Sequence, residues 1–185
     1  MRHNFQDAYD FMLKLEGGKI LHHNVGEETH TYAGVYRFSH SEWVGWDYVD
    51  SGEEVPEECL LDFYEEQFWD RVRGDDLPEG LDLQVFCMAV NAGVTNASIL
   101  LQRVLGATQD GIIGSKTIEA AQYYEVNTLG EQLVVDKLRD YIRESINYYG
   151  DVVDSNPESE MYYNGWLNRA LDTGLEAIIR AKLPF

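Results

Sequence analysis

Phe5, Ala8, Met12 and Leu15 recur at the spacing of one helical face, and the pattern stops at Glu16-Gly17-Gly18. That spacing predicts a first helix from about Asn4, its cap, to Glu16, ended by the paired glycines. From Lys19 to Asp50 helical periodicity is absent. Thr29 to Phe38, rich in Thr, Tyr and Val, predicts a short strand or hairpin, and Trp43-Val44-Gly45-Trp46 follows in a loop. Beyond an acidic loop from Ser51 to Glu58, the positions Leu61, Tyr64, Phe68 and Val72 mark a helix that stops before Gly74 and Pro78. From Leu81 onward the chain reads as helical. Phe86, Val90 and Gly93 belong to one segment, and Ile99, Leu100, Val104 and Leu105 to a second that ends at Gly106. A turn over Gln109 to Gly114 leads to a short helix capped by Ser115. Thr128 and Glu131 form a capping-box pattern ahead of a long helix through about Tyr149, and a last helix spans roughly Glu160 to Lys182. The fold class expected is mainly α, with a small N-terminal β-hairpin lobe packed on a helical body. The division expected is 1–80 and 81–185, within one continuous globule.

Composition narrows the function more than the fold. At 185 residues, with 44% hydrophobic and 12% aromatic residues, the chain is long enough to bury a real core. No run reaches the roughly 18 apolar residues of a membrane span, and Met1-Arg2-His3-Asn4 does not read as a signal peptide. Work outside the cytoplasm therefore calls for a separate release route. Acidic residues number 33 against 14 basic ones, a formal charge of -19, which argues against nucleic acid or an anionic membrane as partner. An anionic polymer would have to be held by short-range contacts in a groove. Cys59 and Cys87 follow no spaced pattern and fit either two thiols or one disulfide.

The residue singled out for chemistry is Glu16. Lying one turn beyond Met12, it falls at the edge of the buried face, where lost hydration and the negative end of the helix dipole both favour the protonated form. Such a carboxyl suits a general acid, although an ordinary solvated helix-end glutamate would show the same local pattern. Tyr32, Trp43 and Trp46 suit a carbohydrate groove, since the apolar face of a sugar ring stacks on an aromatic plane; anchoring the β lobe is their other reading. Trp69, Tyr163 and Trp166 fall at helical positions and read as core. All five histidines lie in the first forty residues, near Glu27 and Glu28. Adjacent His22 and His23 in an extended stretch point to opposite faces, and no His-Glu-x-x-His spacing occurs, so no metal site is expected. There is no Gly-rich phosphate loop and no nucleophile elbow.

An ordered set of short motifs adds to this. Glu16-Gly17-Gly18 is followed by Glu28-Thr29, Tyr32-Ala33-Gly34-Val35, Trp43-Val44-Gly45-Trp46, Phe68-Trp69-Asp70 and Leu77-Pro78. Then come Val90-Asn91-Ala92-Gly93, Leu101-Gln102-Arg103-Val104-Leu105-Gly106, Asp110 to Thr117, and Gly165-Trp166-Leu167-Asn168-Arg169. The set resembles the glycoside hydrolase family 108 N-acetylmuramidases, lysozyme-type peptidoglycan hydrolases of bacteriophage endolysins and some bacterial secretion loci. The resemblance implies a lysozyme-like fold, with the part from about Leu81 similar to a predicted peptidoglycan-binding region. It also implies hydrolysis of the β-1,4 bond between N-acetylmuramic acid and N-acetylglucosamine, with Glu16 as the acid and no cofactor. Substrate contacts are expected at Tyr32, Trp46, Asn91 and Gln102. The partner implied is the peptidoglycan glycan strand, met by a monomer that is made in the host cytoplasm and acts in the periplasm or cell wall. Delivery is expected through a holin-like route or in a virion.

The chain departs from the family pattern at one place. Family members usually carry Asp-x-Gly-Gly-x-Thr after the first motif, whereas here the run reads Asn24-Val25-Gly26-Glu27-Glu28-Thr29, with His30-Thr31 inserted before Tyr32. An amide is no general base. Holding the attacking water then passes to Glu27 or Glu28, or to a hydroxyl such as Thr29 or Thr31, or activity is weakened. Glu28 and Thr31 are the residues expected to work with Glu16. The alternative reading is a non-catalytic peptidoglycan-binding or phage structural protein with a degenerate site.

Overall fold

The computed structural model describes the backbone of residues 2–23, 28–126 and 130–181, and side chains over 4–23, 28–123 and 134–181. The chain divides into two compact units, Met1–Gln67 and Phe68–Phe185.

The first unit begins with α1 (Arg2–Leu15), whose stripe of Phe5, Ala8, Tyr9 and Met12 is buried. Its C-terminus closes as a Schellman motif: the Gly18 N–H donates to the Leu13 carbonyl (2.9 Å) and the Gly17 N–H to the Lys14 carbonyl (3.1 Å). Both glycines have positive φ, +81° and +87°, which is why the helix can stop within one residue of Glu16. Three two-residue strands follow, β1 (Leu21–His22), β2 (Thr31–Tyr32) and β3 (Val35–Tyr36), all antiparallel, so the expected hairpin is the outer part of a small sheet. β1 pairs with β2 through Leu21 with Tyr32 and His22 with Thr31, and β2 pairs with β3 through Tyr32 with Val35.

Two elements differ from the sequence expectation. Residues 45–51, expected to be loop, form the helix α2 (Gly45–Ser51), ended by Gly52 in the left-handed conformation. It buries only Gly45 and Trp46, so no apolar stripe announces it. The helix expected through Leu61 to Val72 is α3 (Glu57–Tyr64) followed by a π turn over Glu65–Trp69. The π turn takes in an extra residue. The buried pattern of Leu60, Phe63 and Tyr64 therefore resumes at Trp69 and Val72 rather than in step.

The second unit is helical among its described residues: α4 (Leu81–Ala92), α5 (Val94–Leu105), α6 (Ser115–Val126), α7 (Gly130–Ser155) and α8 (Glu160–Arg180). The helix α4 is its centre. Every residue from Leu81 to Ala89 is buried, and α5, α7 and α8 pack on it. The buried Asp82 carboxylate accepts from the N–H groups of Gly80 (2.8 Å) and Leu83 (2.7 Å), satisfying the helix start. The helix α7 runs past Tyr149 to Ser155, longer than expected; Thr128 of the expected capping box and Lys182 lie outside the described residues. Trp69 is core as expected, whereas Tyr163 and Trp166 are only half-buried. Trp166 stacks on Tyr149 (5.4 Å) and meets Tyr162 (5.9 Å) at the surface end of that aromatic row.

Candidate active site

Glu16 is the capping residue of α1: its N–H still donates to the Met12 carbonyl (3.0 Å), while the chain turns away at Gly17. Its side chain is half-buried and rests against the turn between β2 and β3. That turn is the two-residue pair Ala33-Gly34, both with positive φ (+49° and +86°), the mirror-image geometry that tight hairpins use. Gly34 is required twice over. A Cβ there would be strained by its φ and would lie 2.9 Å and 3.1 Å from Cγ and Cδ of Glu16 and 2.6 Å from the Tyr64 hydroxyl. Ala33 is the unusual residue of the pair, because an alanine in this conformation is held at a cost of about 1–2 kcal/mol.

Long-range bonds hold the turn. The Tyr64 hydroxyl, on α3, donates to the Ala33 carbonyl (2.7 Å), and the Ala33 N–H donates to the Ile20 carbonyl (3.2 Å) in the segment just past Glu16. That segment is tied down in turn. Lys19 forms an ion pair with Glu57 at the start of α3, and the buried Tyr9 hydroxyl donates to the same carboxylate (2.9 Å). Burial, with Asp10 beside it, pushes the Tyr9 phenol well above its ordinary range, so it stays a donor.

Burial alternates along the hairpin, with Thr31, Ala33 and Val35 buried and Tyr32 and Tyr36 half-buried, and the register puts Thr31 beside Tyr36 on one face and Tyr32 beside Val35 on the other. Thr31 is a buried strand residue, paired with His22 on one side and Tyr36 on the other. Glu28 is exposed, and its N–H donates to the Tyr36 hydroxyl (3.1 Å). Asn24 and Glu27 lie outside the described residues. Thr29 Oγ1 is buried and has no hydrogen-bond partner among the described residues.

The aromatic residues divide by accessibility. Tyr32 is half-buried and stacks on Trp43 (6.2 Å between ring centres), its phenol raised by burial and by Glu54. Next to it, Ile20 and Leu21 are 57% and 46% exposed, an apolar pair that the sequence pattern did not single out. Trp46 is 2% exposed; its indole N–H donates to the His40 carbonyl (2.8 Å). The Arg37 guanidinium lies 4.9 Å above that ring and holds Asp50 through two bonds, 2.6 and 2.7 Å, so Trp46 joins the hairpin to α2. Trp43 is likewise buried, its N–H donating to the Cys59 carbonyl (3.0 Å). It forms one wall of a separate cavity of about 560 Å³, with Phe63, His40, Asp62 and Glu66 among the other lining residues.

Asn91 and Gln102 belong to the second unit. Asn91 is half-buried and donates to the Tyr149 hydroxyl (2.8 Å), a phenol that burial pushes up to about 12. Gln102 is 1% exposed, and its amide is engaged on every side: it donates to Asp110 (2.6 Å) and the Ile112 carbonyl (2.9 Å) and accepts from the Gly111 N–H (2.9 Å). Both cysteines are free thiols, which settles the two readings the sequence left open. No group of three His, Cys, Asp or Glu side chains able to hold a metal ion occurs among the described residues.

Comparison with known proteins places two family matches along the chain. Residues 9–93 match the glycosyl hydrolase 108 family, and residues 96–171 match a predicted peptidoglycan domain. No curated protein sequence matches the chain. Among solved structures, SagA of Brucella abortus superposes over 98% of both chains with a TM-score of 0.73 at 23% identity, a likeness of fold.

Proposed function

We propose, for a chain that belongs to glycosyl hydrolase family 108 over residues 9–93 and carries a predicted peptidoglycan domain over 96–171, that this peptidoglycan hydrolase is an N-acetylmuramidase with Glu16 as its general acid. The observation that carries the assignment is the placement of Glu16: a half-buried carboxyl at the end of α1, pressed against a hairpin turn that has no side chain at the point of contact.

In this reading the Glu16 carboxyl gives its proton to the oxygen linking C1 of N-acetylmuramic acid to C4 of N-acetylglucosamine. The C1–O bond breaks as positive charge develops on the ring, and water adds at C1, its spare proton passing to Glu28 or returning to the Glu16 carboxylate. The water is held by Glu28 or by the hydroxyl of Thr31 on β2, with the Thr29 hydroxyl, which has no hydrogen-bond partner among the described residues, as a further candidate. Tyr32, with exposed Ile20 and Leu21 beside it, offers the surface on which a sugar ring stacks. Trp46, Asn91 and Gln102 serve substrate binding through the elements they fix. Action is on the cell wall, and no described helix is long and apolar enough to cross a membrane.

The bond is tested by reducing the digestion products of purified peptidoglycan with borohydride. N-acetylmuramidase action yields muramitol ends. Glucosaminitol ends overturn the bond assignment, and the absence of new reducing ends favours a protein that binds the polymer without cutting it.

A further inference from the structure

We infer that Tyr64 and Gly34 are positioning residues for the acid, acting through the Ala33-Gly34 turn; the inference rests on the assignment of Glu16 above. The turn is pinned at both backbone groups of Ala33. Its carbonyl takes the Tyr64 hydroxyl at 2.7 Å, and its N–H donates to Ile20 at 3.2 Å. Ala33 is fully buried and held at φ +49°, a conformation that persists only where the surroundings enforce it.

The turn in turn shapes the acid's position. The Tyr64 hydroxyl and the Cδ of Glu16 lie 2.6 and 3.1 Å from one point, the place a Gly34 Cβ would occupy, so the phenol and the carboxyl flank the same backbone atom. Glu16 thus rests on bare backbone, and that backbone is held from α3 by the Tyr64 hydroxyl and from the other side by the bond to Ile20. Tyr64 itself is locked, 1% exposed, with its ring against Tyr9 (5.8 Å) and Phe63 (5.2 Å). A rigid donor, a strained turn and a missing side chain together fix a carboxyl whose rate contribution depends on placement within fractions of an ångström.

The test compares kcat and KM on purified glycan strands for wild type, Tyr64→Phe, Gly34→Ala and Glu16→Gln, each checked for folding by circular dichroism. Tyr64→Phe keeps the ring and removes only the hydroxyl. It is expected to lower kcat about tenfold with KM within twofold, an effect that lost stability alone does not produce in a folded sample. Gly34→Ala is expected to lower kcat by about a hundredfold or more. In the double variant the losses should combine to less than their product, because both act on one carboxyl. Folded Tyr64→Phe with wild-type kcat, alongside an inactive Glu16→Gln, overturns the positioning role and leaves the acid assignment standing. An active Glu16→Gln overturns both.

Discussion

Ala33 shows how much of this site is decided one residue at a time. Replacing it with glycine relieves the left-handed strain, about 1 kcal/mol, but removes a buried methyl of similar value, so Ala33→Gly should leave the thermal midpoint within a few degrees. Ala33→Val adds a branched carbon to a position with positive φ and no free space, and is expected to cost at least about 2 kcal/mol by thermal or urea unfolding. The two aromatic residues expected to contact substrate should separate in the same way. Trp46, buried and bonded to His40, should cost about 3–5 kcal/mol of stability as Trp46→Ala. Tyr32→Ala should instead raise KM several-fold while the folded state changes little. The place of Glu16 at a helix end was legible because its signals are local, an apolar stripe on one side and two glycines on the other, whereas its expected role as the acid came from the family resemblance. Tyr64 was not, since its partner Ala33 lies 31 residues away and neither residue type is distinctive.

At the scale of elements, one buried amide, that of Gln102, bonds all three residues of the loop Asp110 to Ile112. Gln102→Leu leaves the Asp110 carboxylate, the Gly111 N–H and the Ile112 carbonyl without that partner, and a loss of about 2–3 kcal/mol is expected. The Ile112 N–H, together with Gln102, holds the Asp110 carboxyl below its ordinary value. The stability that Asp110 adds is therefore present above about pH 4 and lost as pH falls through its lowered folded value, so Asp110→Asn should weaken the protein at neutral pH and not in acid. His40 gives a second pH dependence. Burial holds its imidazole below the ordinary value near 6.5, although Glu42, Glu58, Asp62 and Glu66 line the same cavity. The neutral form is the folded one, so wild type should lose stability as pH falls from about 6.5 toward the lower folded value, and His40→Gln should lose less over that interval. Long amphipathic helices and the extended character of the β lobe were readable from periodicity and composition. The short helix α2 was not, because seven residues with two buried ones carry no stripe, and the π turn was not, because a pattern that slips by one residue still looks helical.

On the scale of the whole molecule, charge is the dominant fact. At a formal -19 the protein and an anionic wall polymer repel each other, and the repulsion reaches about 30 Å at 0.01 M salt but only about 8 Å at 0.15 M. Initial rates on purified peptidoglycan should therefore rise several-fold over that range, measured as loss of turbidity with folding checked at each salt concentration. Composition foretold this; it did not foretell the separation into units 1–67 and 68–185, since no Pro- or Gly-rich linker marks it and the π turn carries the chain across. In the proposed reaction one carboxyl at the end of α1 does the acid chemistry. The direct measurement is the clearing of a suspension of purified peptidoglycan by wild type and Glu16→Gln at matched concentration and matched folded content. Wild type is expected to clear it, and Glu16→Gln to be slower by a factor of about 10² or more. Clearing by Glu16→Gln at the wild-type rate would contradict it.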